Sequence, residues 1–242
     1  MLRRLIPGLL AAALAWPLTA LAALPVPGFT ARYSLALSGV PVGEATVTLD
    51  EPAPGRYRMR SEAAAKGQLA MLLPDRLSEE AEGTFSDDGP QPGHYRHERR
   101  GGRERESVRI DFDPAAGEVR IEEAGSAPAK LALAPGMLDP LSLQLRAMWL
   151  LRQGRPPESF TLVDDASPDT YRVESAGRET VKTGRGPVEA EVLRRGRPGD
   201  KRTATFWFAP KFGYVPVQIV QTRKGRETLR MTLIDVSGEA VR

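Results

Sequence analysis

The chain contains no cysteine. That absence excludes disulfides, thiol catalysis, thiolate metal sites and a lipid attached at a lipobox cysteine. Histidine is nearly absent as well, with only His94 and His97. On a strand, residues three apart point to opposite faces, so these two do not share a metal ion readily. Arg96, Arg99 and Arg100 beside them would repel a cation in any case. Past the N-terminal segment no apolar run approaches membrane-spanning length. No repeat period recurs, and no low-complexity linker divides the chain. Strong charge of one sign is missing too. The formal net charge is +3; without Arg3 and Arg4 of the N-terminal segment it falls to +1. Nucleic acid, which calls for a concentrated basic surface, is therefore not an expected partner.

The N-terminal segment reads as a secretory signal. Arg3-Arg4 forms a positive start, an apolar stretch broken by Pro7 and Pro17 follows, and Ala20-Leu21-Ala22 supplies an Ala-x-Ala cleavage signal. The expectation is a signal peptide at 1–22, cleaved near Ala22, and a periplasmic protein with no membrane span in its mature part. Without disulfides, such a fold rests on its core. About 220 residues suffice for one large core or two smaller ones.

One stretch, 139–153, reads as a helix. Asp139 suits the N-cap, Pro140 the first helical position and Gly154 the C′ position. Arg152 in the last turn complements the helix dipole. Leu141, Leu145, Met148 and Trp149 share a face. Leu143, Ala147, Leu150 and Leu151 carry the apolar surface most of the way round, which predicts burial on more than one side.

Almost everything else alternates with period two. Phe29, Ala31, Tyr33, Leu35 and Leu37 face one way and their neighbours the other, the mark of a half-buried strand. Gly39–Gly43 reads as the turn of a hairpin resumed by Ala45, Val47 and Leu49. Tyr57 and Met59 face opposite to Arg56, Arg58 and Arg60. Strands are expected over 77–86, the HYRHERR segment, 103–112, around Val119 and Ile121, and near 129–133. After the helix they are expected over 158–164, 169–175, 178–183, 187–195, 201–209, 214–223 and 226–236. About a dozen strands with short links predict a mainly β fold, a curved antiparallel sheet or incomplete barrel wrapped around one apolar helix. Residues 23–242 are read as a single domain. The alternative is a sheet-plus-helix unit ending near 155 and a second, smaller sheet.

No catalytic constellation stands out. There is no Gly-x-Ser-x-Gly, and Ser142 in the first helical turn is expected to serve capping. Asp113 before Pro114, and Asp164, Asp165 and Asp169 around another turn, are expected to serve turn chemistry; the latter lack the spacing of a calcium loop. No metal site and no cofactor are expected. The remaining candidates are apolar. Leu69, Met71, Leu72 and Leu73, before Pro74, interrupt the strand rhythm and form either a buried plug or a lid. With Leu145, Met148, Trp149 and Trp207 they are the candidate lining of a ligand cavity, against the plainer reading of all eight as core.

Three stretches carry a family resemblance: YSLALSGVPVGEATVTL, with Gly39 and Gly43; DPLSLQLRAMWLLRQG, with Asp139 and Ser142; and KTGRGPVEAEVLRRG through TFWFAPKFGYVPVQI, with Gly186, Trp207, Pro210, Tyr214 and Pro216. In order and spacing the chain resembles the exported bacterial proteins catalogued as domain of unknown function 3108. The resemblance implies a periplasmic protein and supplies no active-site residue. The expected architecture is also similar to that of periplasmic lipoprotein carriers, whose incomplete barrel holds acyl chains. The expected function is non-enzymatic, the binding of an apolar or amphipathic ligand such as a lipid or acyl chain in the cell envelope. The alternatives are an envelope assembly protein acting by protein–protein contact, including strand addition at a sheet edge, and a carboxylate-dependent hydrolase of envelope polymers.

Overall fold

Alternating side chains write the same rule into strand after strand: one face apolar and covered, the other polar and wet. In strand β1 (Phe29–Leu37) Phe29, Ala31 and Tyr33 are buried while Thr30, Arg32 and Ser34 are exposed. In β3 (Arg56–Ala65) Tyr57 and Met59 have no exposed surface, and Arg56 and Arg60 lie in solvent. The computed structural model describes residues 24–67, 70, 76–101 and 106–241. The expected signal peptide at 1–22, and Leu69, Met71, Leu72 and Leu73, lie outside the described residues.

Between β1 and β3 runs β2 (Val40–Ala53). It is followed by β4 (Arg76–Ser86), β5 (Gly89–Arg100), β6 (Glu106–Asp113), β7 (Glu118–Glu123) and β8 (Ala129–Ala132). Two-residue β9 (Met137–Leu138) leads into helix α1 (Pro140–Arg152). Then come β10 (Ser159–Leu162), β11 (Asp169–Thr183), β12 (Gly186–Gly196), β13 (Arg202–Ala209), β14 (Val215–Arg223) and β15 (Arg226–Gly238). These strands form one sheet in the order β8-β7-β6-β5-β4-β3-β2-β1-β15-β14-β13-β12-β11-β10-β9. Two antiparallel meanders are thus sewn together where the first strand meets the last, Phe29 opposite Gly238 and Leu37 opposite Leu229. The parallel pair is β9–β10, joined across α1. The two free edges, β8 and β9, are consecutive in the chain yet unpaired. The sheet curves as a barrel would and stays open at that place.

The helix occupies the inside of the curve. Asp139 caps it, and Gly154 turns the chain out of it at φ +68°. Leu145 and Met148 have no exposed surface, and Trp149 is 8% exposed. They join Tyr33, Tyr57, Met59 and Ile110 from the first meander and Phe208, Val217 and Leu233 from the second in one core. Trp149 lies over the β4–β5 turn, where Gly89 has φ +98° and a Cβ would stand 2.7 Å from the indole. Arg146 stacks on the same ring at 5.9 Å and donates to the Asp88 carbonyl at 2.9 Å. At the other end of the helix Arg152 donates to the Pro25 carbonyl at 3.0 Å, and Val26 beside it is fully buried.

Several expectations change in detail. The opening turn is two residues, Ser38-Gly39, so the chain is already in β2 at Val40. Leu37 at the hairpin tip is 45% exposed. The segments 169–175 and 178–183 are one strand, broken only by a bulge between Ser175 and Arg178. Among the described residues the sheet has fifteen strands rather than about twelve. Among the described residues no helix is long and apolar enough to cross a membrane.

Candidate functional site

Helix α1 has two apolar flanks, and they meet different things. Leu141, Leu145 and Met148 enter the main core. Leu143 instead joins Leu138 and Leu162, with Phe160 and Tyr171 against them, in a small separate cluster at the β9–β10 edge. A seam runs between this cluster and the main core. It is lined by Leu138, Leu143 and Phe160 on one side, and by Ala147, Val173, Leu193, Phe206 and Phe208 on the other. Phe206 and Phe208 stack at 5.9 Å along the inner face of β13. The free space within this apolar cleft is about 30 Å³, room for about one water molecule, so a larger ligand enters only if the seam parts.

Arg195 stands at the rim. It lines this cleft and also a second, polar cleft containing Asp164, Asp165, Asp169, Tyr171, Arg197 and Asp200. Its guanidinium lies 4.8 Å from the Tyr171 ring centroid and 5.8 Å from that of Phe206. Burial pushes its pKa below the ordinary arginine value. Among the described residues no hydrogen bond or ion pair reaches it. Arg197, two residues on, is held by Asp169 and by Asp200, the latter at 2.9 Å. Asp164 is raised above the ordinary carboxylate range, first by burial and then by Asp165. Asp165 accepts from the Ser167 amide at 2.6 Å, the turn role expected of it.

A buried polar chain lies at the N-terminus of α1. The Asp139 carboxylate accepts from the amides of Leu141 and Ser142 at 3.0 and 2.9 Å, and from the Ser142 hydroxyl. Ser142 Oγ lies 2.7 Å from the Tyr57 hydroxyl. Capping therefore falls to Asp139, and Ser142 ties the cap to β3. Burial lifts the Asp139 carboxyl to about 6 and drives the Tyr57 phenol upward.

The candidate residues from the sequence divide. Leu145, Met148 and Trp149 come together, but as core; the cleft is lined by other faces of the helix. Trp207 points away from it, on the opposite face of β13 from Phe206 and Phe208, and its indole N–H donates to Glu179 at 2.8 Å. Arg195 and the Leu143 flank were overlooked. The signal was present: Leu193 and Arg195 alternate onto the same face of β12. His94 and His97 separate as expected, to Asp111 at 2.6 Å and Glu79 at 3.8 Å. Asp113 accepts from the Ala116 amide at 2.9 Å, a turn contact. Among the described residues no three metal-ligating side chains gather at one point.

Comparison with known proteins agrees with this architecture. A crystal structure described as a beta-barrel-like protein of domain of unknown function DUF1849 from Brucella abortus superposes with a TM-score of 0.58. It covers 89% of this chain and 99% of its own, at 11% identity, a likeness of fold. A search of curated proteins gave no significant match. The capped helix and the two sewn meanders, apart from the last five residues of β15, fall within residues 29–233, the span matched by the family described as Protein of unknown function (DUF3108), and the chain belongs to that family.

Proposed function

We propose that this is a non-enzymatic protein of the periplasm that binds an apolar or amphipathic ligand, such as a lipid or acyl chain, in the cleft between α1 and strands β10–β13. The observation that carries the reading is the seam. Elsewhere the apolar side chains close into one continuous core, but here they part into two clusters with an apolar gap between them. The smaller cluster is held by little. Strands β9 and β10 span two and four residues, and their parallel pairing covers Met137–Leu138. Elements with so few ladder bonds and so small a core open at low cost. Each buried methylene of an entering chain contributes about 0.8 kcal/mol, so a chain of modest length offsets that cost.

The competing readings draw less support. Strand addition favours a long unprotected edge, whereas the free edges are four and two residues. Three of the four acids of the polar cleft are engaged, Asp169 and Asp200 in ion pairs with Arg197 and Asp165 in a turn. Export to the periplasm rests on the Arg3-Arg4, apolar and Ala-x-Ala pattern of the first 22 residues. Native mass spectrometry of the protein purified from its own periplasm tests the proposal. An added mass that organic extraction removes is the expected result. A bare chain there, together with no uptake of added acyl chains, would overturn it.

A further inference from the structure

Arg195 is out of place for a protein that binds only hydrocarbon. Its guanidinium, with five N–H donors and a full charge, is half-buried at the rim, its donors open to solvent rather than held by an acceptor among the described residues. Two aromatic faces hold it by cation–π contact, but neither ring accepts the in-plane N–H groups. The other arginine of the cleft that contacts Tyr171, Arg197, has its carboxylates. Arg146, which also lines the apolar cleft, is turned away onto Asp88 and Trp149. Arg195 is thus a positive charge that feels Asp164 across the polar cleft but is ion-paired to no acid among the described residues, set at the junction of an apolar cleft and a polar, open one.

We propose that the ligand is a single-chain amphiphile with an anionic head, its carboxylate or phosphate on the Arg195 guanidinium and its chain between Leu143, Ala147, Leu193 and Phe206. The inference rests on the cleft reading above and adds the head group's charge. Arginine suits this task because its planar fork pairs with two oxygens of one anion. The Tyr171 and Phe206 rings hold the fork in place without consuming its donors. Asp164, the acid facing Arg195 across the polar cleft, opposes an anion there and limits affinity.

The test is a binding titration with three ten-carbon probes: decanoate, decyl phosphate and uncharged decanol. Wild-type protein should bind at least one of the anions ten times or more tighter than decanol, the range of a charge-assisted hydrogen bond to a desolvated partner. Whichever anion is tighter assigns the head as carboxylate or phosphate. Arg195→Gln should abolish the preference, so that the anions bind no tighter than decanol, with circular dichroism verifying that the variant is folded. Arg195→Lys should retain part of the preference. Asp164→Asn should strengthen anion binding severalfold. Leu143→Trp, filling the cleft, should remove all three probes. Equal binding of the anions and decanol, or a preference that survives in Arg195→Gln, overturns the inference and leaves the cleft reading standing. Binding of none of the probes overturns both.

Discussion

Replacing Asp139 by asparagine keeps the helix cap and removes its charge. The carboxyl has no exposed surface and is held by three donors, the amides of Leu141 and Ser142 and the Ser142 hydroxyl. Those donors favour the ionised form, yet burial outweighs them and lifts the pKa from 3.8 to about 6. Because the folded value lies above the unfolded one, the native state holds a proton that the unfolded chain has released between those two values. Stability from this group is therefore greatest below about pH 4 and is lost as pH rises through 6, and the loss is about 3 kcal/mol. An asparagine amide occupies the site as the protonated acid would, accepting from the two backbone amides and donating to Ser142 Oγ. Urea melts of wild type and Asp139→Asn at pH 3.5 and 7.5 isolate the effect, since other titrating groups cancel in the difference. The variant should gain about 2–3 kcal/mol relative to wild type between the two pH values. A difference that stays constant within about 1 kcal/mol would refute a carboxyl perturbed by burial.

Two further substitutions probe the enclosure of the helix. Trp149→Ala should destabilise the protein by about 3–5 kcal/mol in a urea melt, the range for a large buried aromatic side chain; a loss under about 1 kcal/mol would mean that the indole is exposed. Gly89→Ala should cost at least about 2 kcal/mol, since it forces a positive φ on a side chain and drives a Cβ into the Trp149 ring. In the Trp149→Ala background that cost should fall, leaving the backbone component, and a double-mutant cycle measures the difference.

Much of the architecture was legible because its causes are local. Period-two alternation located the strands, and Asp139, Pro140 and Gly154 located the helix to within a residue at either end. What remained hidden depends on contacts far apart in sequence. No local pattern announces that β1 pairs with β15, or that the sheet stops one pairing short of closure between β8 and β9. Strand β11 read as two strands because its bulge between Ser175 and Arg178 shifts the register and so breaks the period. The place of the apolar cleft was hidden for a related reason. The most apolar face of α1, with Leu145 and Met148, is satisfied by the main core. The space lies instead beside the small residue Ala147 and the flank of Leu143. Nothing in the sequence marks Arg195 apart from Arg194 beside it; stacking on Tyr171 and Phe206 distinguishes it, and that is a property of the assembled sheet.

The central claim is that the seam between α1 and β10–β13 parts to admit an acyl chain. A fatty acid bearing a nitroxide near its methyl end locates that chain directly, because it broadens the NMR signals of the methyl groups it touches. The methyls of Leu143, Ala147 and Leu193 should broaden on titration, with those of Val217 and Leu233 in the main core unaffected. Sharp signals at Leu143, Ala147 and Leu193 while the label broadens other parts of the molecule, or no part, would contradict the account.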